Sequence, residues 1–342
     1  MINQVFMEYK TALKYCGFPK SHLKLIRCPE DQAEFVFNNI TREITNHVIN
    51  GSLRCQHCNK IIPIVNGIVM MLEKEMLDLE SLHELNLRDQ ENNSISEQGN
   101  TCLKTDFRLR LEMQTSLAYL NLFKECILLE LGCGRGRYTN IFASKCNDVM
   151  AVDFSLGSLE LLRRKLSSNS RVSLINANIL KLALAPNKFN RVFSTTSLDT
   201  REQRMVMHHL AADALSGDGR YVFSTENYDL RSRLLGLPRA TRYTPGGIYF
   251  CKLERREVKR EMMPYFSRIL VRPIQIVLPL IHIKSQQKAI LASRIAERVP
   301  FVSDLGELLM VCAKKPLHAP KEGTTSGGNI IFKILYRMHY KT

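Results

Sequence analysis

Short unbroken apolar runs alternate with segments of helical spacing through the middle and end of this chain. Leu128–Leu131 and Val149–Val152 have the pattern of strands buried on both faces, flanked by polar turns. Leu156 to Leu166 repeats apolar residues every three to four positions, which predicts an amphipathic helix, and Val172–Ile175 predicts a third strand. Asn190 to Ser197 follows as a fourth strand, Arg201 to Leu215 as a helix, and Tyr221–Thr225 as a fifth strand entered through Gly217-Asp218-Gly219. A helix over Glu254 to Tyr265 leads to a sixth strand over Ile269 to Leu278, and Gly306 to Lys315 reads as a seventh. Pro273 requires that the sixth strand lie at a sheet edge, because proline has no N–H to give an interior ladder. Strands alternating with helices predict an α/β fold with a doubly wound, mostly parallel sheet and right-handed crossovers.

The flanking segments differ in pattern. Residues 1–72 read as a separate module containing Cys28-Pro29-Glu30-Asp31, Cys55-Gln56-His57-Cys58 and the apolar run Ile61 to Leu72. Two C-x-x-C knuckles supply four thiolates for a tetrahedral metal, but here Asp31 stands where the first knuckle needs its second cysteine. His57, between the cysteines of its own knuckle, is a poor substitute. Residues 73–104 turn polar and predict a helix followed by an exposed linker ending in "QENNSISEQGN". Phe107 to Phe123 predicts a lead-in helix, so a main domain spans 105–316, with Ser285 to Arg298 as a helical insertion within a substrate cap over 228–304. Residues 317–342 form a basic tail.

Candidate chemistry concentrates after the first strand, in Glu130-Leu131-Gly132-Cys133-Gly134-Arg135-Gly136. Glycines after a buried strand let backbone approach a nucleotide-like ligand. Asp153, at the end of the second strand, is placed to accept from a ribose diol. The spacing is G-x-G-x-G; Arg137 stands where a dinucleotide fingerprint needs its third glycine.

On these residues the chain resembles the class I S-adenosylmethionine-dependent methyltransferases over roughly residues 105 to 316. The resemblance implies a seven-stranded Rossmann-like sheet whose sixth strand is at the edge and whose seventh is antiparallel. It implies that Glu130, Gly132, Gly134 and Gly136 line the methionine and ribose side, and that Asp153 takes the ribose hydroxyls. It further implies Phe154 against adenine, Asn178 at the adenine amine through its amide oxygen, and Ser194 at the end of the fourth strand. The segment "IIPIVNGIVMML" resembles the small zinc ribbon that activates several methyltransferases. Two states of the ribbon stay open: structural zinc on Cys28, Asp31, Cys55 and Cys58, or a metal-free ribbon held by its apolar residues.

The acceptor side is expected at the carboxyl ends of the fourth and fifth strands, among Ser197, Asp199, Glu226, Asn227 and Tyr228. Asp199 and Glu226 are the candidate catalytic carboxylates. The run Asn/Asp-Pro-Pro-aromatic is missing after the fourth strand, where the chain reads "STTSLDT", and no Pro-Cys nucleophile is present. The first run is the signature of the amino-methyltransferases and the second is typical of C5-pyrimidine enzymes, so the resemblance disfavours exocyclic base amines and C5-pyrimidine chemistry. His208 and His209 are neighbours on one helix and point about 100° apart, so packing is the preferred reading for both.

Composition adds charge and compartment. The 342 residues carry a net charge of +15, with 11 Lys/Arg against 4 Asp/Glu between Asp229 and Arg272. This is either a solvated surface or a face for an anionic partner: nucleic acid, phosphorylated metabolite or acidic membrane. Ten scattered cysteines fit reduced thiols, and Met1 to Lys10 lacks a signal-peptide core, so a cytoplasmic location is expected. The most apolar stretch, Ile269 to Ile283, is too short and too interrupted to span a bilayer, which needs about 20 apolar residues. The leading expectation is methyl transfer to an oxygen or nitrogen of a small-molecule, glycan or lipid-like acceptor, anionic or apolar, with peripheral membrane contact allowed. A tRNA or rRNA acceptor and a non-catalytic scaffold are the alternatives.

Overall fold

The computed structural model describes residues 16–94, 107–167, 171–195, 198, 200–242, 247, 249–276 and 286–317. The first described elements are five strands: β1 (Phe18–Pro19), β2 (Phe35–Ile44), β3 (His47–Cys55), β4 (Ile61–Val65) and β5 (Ile68–Met70). Helices α1 (Leu79–Ser94) and α2 (Phe107–Leu120) lead to β6 (Ile127–Leu131), α3 (Thr139–Lys145) and β7 (Asp148–Asp153). There follow α4 (Leu156–Lys165), β8 (Val172–Asn176), β9 (Phe189–Ser194), α5 (Arg201–Ala214) and β10 (Leu215–Glu226). The chain closes with α6 (Leu230–Leu234), β11 (Ala240–Arg242), β12 (Tyr249–Cys251), α7 (Arg255–Met262), β13 (Phe266–Ile274), α8 (Gln286–Ala296) and β14 (Leu308–Pro316).

The central sheet runs β8-β7-β6-β9-β10-β14-β13. Its first five strands are parallel, and β14 lies antiparallel between β10 and β13. The proline-bearing β13 is an edge strand, as the missing N–H of Pro273 requires. Alternation sorts the apolar runs onto two faces. Leu129, Leu131, Met150, Val152 and Val192 pack on one side with α5 and α7, whereas Leu128, Val149, Ala151 and Leu174 pack on the other with α3 and α4.

The N-terminal strands belong to the same sheet. Strand β5 pairs in parallel with β8 through Ile68–Leu174 and Val69–Ile175, so the ribbon extends the sheet past its third-strand edge. Phe18, Leu25, Leu53 and Ile64 share a core with Met150 and Ile175. Polar contacts fasten the seam: buried His22 bonds Ser173 through Nδ1 and Asp148 through Nε2 at 2.8 Å, and Cys16 Sγ donates to the Val172 carbonyl at 3.1 Å. Burial pulls the His22 pKa below its ordinary value although Asp148 opposes the shift. The ribbon read as a separate module is thus continuous with the sheet. Residues 95–106, most of the basic tail 317–342 and the apolar residues 277–285 lie outside the described residues.

Candidate active site

The carboxyl ends of β6 to β10 lie along one edge of the sheet, as the pairs Leu131–Ser194 and Asp153–Asn176 show. A cleft of about 690 Å³ opens there. Its floor is the loop after β6, held by the Gly132 and Cys133 N–H groups donating to the Val152 carbonyl at 2.9 and 3.0 Å. Two of the loop's glycines are required for different reasons. Gly134 has φ +52°, and a Cβ built on it meets nothing within 4 Å, so the loop leaves open space toward the cleft. Gly136 has φ +81°, and its Cβ would lie 2.2 Å from Leu162 Cδ1 of α4. Gly136 is not among the residues facing the cleft. Gly136, expected at the ligand, makes a close helix–loop contact with α4.

Asp153 is buried, and its two oxygens accept separate N–H groups: Oδ2 from Gly134 at 2.7 Å and Oδ1 from Ser155 at 2.9 Å. Burial raises its pKa, while these two bonds act against the rise. Each oxygen keeps a lone pair, which suits the carboxylate to a diol. Glu130 is buried beneath the loop and accepts from Thr139 Oγ1 at 2.6 Å. Burial pushes its carboxyl up to about 8, helped by the charge of Asp153 and opposed by Thr139 and Arg137. The open space over Gly134, the braced Asp153 and the buried Glu130 fit a ligand that combines a ribose with a cationic group.

Phe154 and Asn178 line the same cleft. The Asn178 side-chain oxygen already accepts the Leu180 N–H at 2.9 Å. One lone pair of that oxygen and the amide NH₂ remain to meet an adenine edge. Ser194 is buried within β9 and does not face the cleft; the next residue, Thr195, does. Ser194 is the last residue of β9, and the chain turns into the cleft at Thr195.

On the acceptor side Glu226 lines the cleft with Ser224, Thr225, Phe250 and Leu308. Asp199 and Ser197 lie outside the described residues. Asn227 and Tyr228 are structural: Asn227 Nδ2 donates to the Gly306 carbonyl at 2.6 Å, and the Tyr228 hydroxyl to the Leu237 carbonyl at 2.9 Å. His208 packs beside Tyr221 and Phe223, and burial lowers its pKa to about 3, so it is a neutral core residue.

Two contributions escaped the sequence reading. Helix α1, read only as a polar helix before a linker, lines the cleft with Ser81, Glu84 and Arg88, and with Asp78 just before it, whose carboxylate accepts from the Ser81 N–H at 2.7 Å. It buries Leu85 and docks through polar contacts, Asn92 Nδ2 to Ser158 Oγ at 2.9 Å and Ser155 Oγ to Asp89 at 2.9 Å, so its sequence shows little of an apolar stripe. Glu112 of α2 also lines the cleft, buried, with Ser224 Oγ donating to it at 2.7 Å. A carboxylate beside the buried Leu111 and Ser116 was the available signal.

In the ribbon, Cys28, Asp31, Cys55 and Cys58 offer ligand atoms that all lie within 4.8 Å of one another. Cys28 Sγ is 3.6 Å from Cys58 Sγ, and Cys55 Sγ is 3.4 Å from Asp31 Oδ1. Thiolates around a tetrahedral zinc stand about 3.8 Å apart, so the donor set has fitting dimensions. Burial pushes the Cys28 thiol up to about 12. Burial also acts to raise the Cys55 thiol, but the N–H groups of His57 and Cys58 outweigh it and hold the thiol below its usual range. His57 Nδ1 bonds Asp31 Oδ2 at 2.9 Å, a position that orients the carboxylate.

Residues 128–219 match the family model described as a methyltransferase domain. That segment runs from β6 into β10 and includes the glycine loop and Asp153. Over 62 residues it is 34% identical to rRNA adenine N-6-methyltransferases of Bacillus licheniformis and Bacillus anthracis, covering 18% of this chain and 22% of each relative. The chain therefore matches about a fifth of the length of these curated relatives. Among solved structures, the N-methyltransferase NodS from Bradyrhizobium japonicum, in complex with S-adenosyl-L-homocysteine, is 14% identical. That match covers 68% of this chain and 100% of NodS, with a TM-score of 0.45. A Haloferax volcanii complex of the Trm112 methyltransferase activator with a methyltransferase is 10% identical, covering 71% and 99%, also with a TM-score of 0.45. Neither structural likeness bears on the acceptor.

Proposed function

We propose that this chain transfers a methyl group from S-adenosylmethionine to an oxygen or nitrogen of a small-molecule, glycan or lipid-like acceptor. The observation that carries the reading is the braced Asp153 beside the open space over Gly134, within a cleft that continues to Glu226. Bound there, S-adenosylmethionine supplies a methyl carbon on a sulfonium, a good leaving group. The chain's residues then have modest duties: Asp153 holds a diol, Phe154 covers an adenine face, and the loop glycines admit the ligand backbone. Ser224, Thr225 and Glu226 orient the acceptor, and Glu226 takes its proton where one must leave. Helix α1 excludes water from above.

The likeness to rRNA adenine N-6-methyltransferases favours an RNA acceptor as a second reading. The missing Asn/Asp-Pro-Pro-aromatic run after β9 weighs against it. Calorimetric titration with S-adenosylmethionine and S-adenosylhomocysteine tests the enzyme reading. Micromolar binding by the wild type that Asp153→Ala abolishes supports it; no binding by folded wild type moves the weight to a non-catalytic scaffold.

We also infer that Cys28, Asp31, Cys55 and Cys58 hold a structural zinc that ties the 28–33 loop to the 55–58 turn. Stoichiometric zinc in protein purified without chelator, lost in Cys55→Ser, is the expected result. Absence of metal from folded protein refutes it and leaves the ribbon held by its apolar residues.

A further inference from the structure

Most large apolar residues of this chain are buried, but a group of them near the acceptor side is held in water. In the segment after α6, Leu234 is 77% exposed and Leu235 65%. Leu237 follows them on the same exposed turn. Along α8, Leu291 is 61% and Ile295 58% exposed, and Phe301 just beyond it is 82% exposed. The pieces adjoin: α6 packs against the 302–305 turn, Ser303 N–H in that turn donates to the Val299 carbonyl, and Val299 N–H donates to the carbonyl of Ala296 at the end of α8. Leu291 and Ile295 are four residues apart and share a face of α8, which Lys288 and Arg298 extend at either end. Opposite them Ser293, Ala296 and Glu297 are buried. Contiguous exposed apolar surface marks an interaction site, whereas single exposed residues do not.

The leucine turn is anchored, not loose. The Tyr228 hydroxyl donates to the Leu237 carbonyl at 2.9 Å, and Leu237 N–H to the Ser232 carbonyl at 2.9 Å. Arg239 lies over the Tyr228 ring, 4.7 Å from its centroid, and pairs with Glu254 and Glu257. The backbone is fastened while its three leucines face outward. Phe301 is held out by a left-handed backbone, φ +66°, which a bulky residue rarely adopts.

Charge decides the partner. The two segments contain Arg231, Arg233, Arg239, Lys288, Arg294 and Arg298; Arg239 pairs with Glu254 and Glu257, Arg294 with the buried Glu297, and Asp304 of the joining turn with Arg255, which leaves cations in excess. A second copy of the same face would set like charges together. RNA would meet the arginines but has no use for a row of aliphatic side chains, since bases stack on aromatic rings. Apolar side chains ringed by Lys and Arg suit the boundary layer of a membrane with anionic headgroups. We propose that the surface formed by Leu234, Leu235, Leu237, Leu291, Ile295 and Phe301 docks on an anionic lipid bilayer. The docking does not depend on the methyl-transfer reading.

Sedimentation of the full chain with vesicles tests this, comparing phosphatidylcholine alone with phosphatidylcholine containing phosphatidylglycerol. Binding to the anionic vesicles, weakened by high salt and reduced at least about tenfold in Leu234→Glu/Leu235→Glu, is the expected result. The substituted positions are exposed, so thermal unfolding and S-adenosylhomocysteine binding should match the wild type. A second variant, Phe301→Glu, should lose vesicle binding as well. No binding to either vesicle overturns the proposal, as does anionic binding that both variants retain. A wild-type dimer that the variants dissolve assigns the surface to a second copy, and RNA retention lost in the variants without vesicle binding assigns it to RNA; either overturns the lipid assignment.

Discussion

Glu130 makes ligand binding depend on pH in a direction that can be worked out beforehand. Its carboxyl is buried below the glycine loop, bonded to Thr139 and close to Asp153, and burial pushes its pKa up to about 8. Near pH 6 it is therefore protonated by about a hundred to one. A ligand bringing a sulfonium or ammonium against it needs the carboxylate, so the proton must leave on binding. That step costs about 2.7 kcal/mol at pH 6 and about 1.4 kcal/mol at pH 7, and fades above pH 8. The affinity for S-adenosylhomocysteine should accordingly rise about tenfold per unit from about pH 6 to about pH 7.5.

Calorimetry in two buffers of different ionisation enthalpy would read both the affinity and the proton released. Glu130→Gln should abolish the slope and the proton release, whatever it does to affinity. An affinity constant within about twofold over that range would refute the reasoning. So would a slope that persists in Glu130→Gln and disappears in Asp153→Asn, which would move the titration to Asp153.

Three further outcomes are expected. Gly136→Ala should destabilise by about 2 kcal/mol or more, because its Cβ meets Leu162; Gly134→Ala should cost only about 1–2 kcal/mol yet weaken S-adenosylhomocysteine binding more than tenfold. Denaturant melts beside calorimetry separate the two, and equal effects on both readouts would refute the division of roles. Glu261→Ala should cost about 3–5 kcal/mol by leaving the Arg204 guanidinium buried without its carboxylate; the Arg204→Met/Glu261→Leu double variant should recover most of that loss, and a double variant as unstable as the single would count against it. For His22 the folded pKa lies below 6.5, so the unfolded chain binds the extra proton. Its contribution is full above about pH 6.5 and is lost as pH falls below it, at up to about 1.4 kcal/mol per unit. A urea series across that window should show the slope, and His22→Gln should flatten it.

The sheet was legible because parallel strands are written as local signals: short apolar runs, turn residues between them and a proline that only an edge tolerates. Gly134 and Asp153 were legible for a related reason, since a strand end fixes both position and direction. Which residue at the end of β9 faces the cleft, Ser194 or Thr195, was not legible, because apolar content on both faces removes the alternation that would set the phase. Gly136 carries the motif yet answers to Leu162, a contact between residues 26 apart that no spacing rule contains.

What stayed hidden was tertiary and polar. Helix α1 docks beside the cleft largely through Asp89 and Asn92 meeting Ser155 and Ser158, with Leu85 buried, and a helix held mostly by polar side chains reads in sequence like one that faces water. The ribbon was hidden in the opposite way. Its local pattern was visible, but β5 and β8 are separated by about a hundred residues, and nothing in either run says that they pair. That pairing has a physical consequence. Without the ribbon, β8 would be an open edge exposing unpaired N–H and C=O groups together with Ser173 and Val172. Covering it sets Asn176, whose amide donates to the carbonyls of Asp153 and Phe154 at 3.2 and 2.9 Å. The Met71 N–H donates to the Asn176 carbonyl at 2.8 Å. One chain of contacts thus runs from the ribbon through Asn176 to the residue that braces the cleft, and it makes the ribbon a support for Asp153.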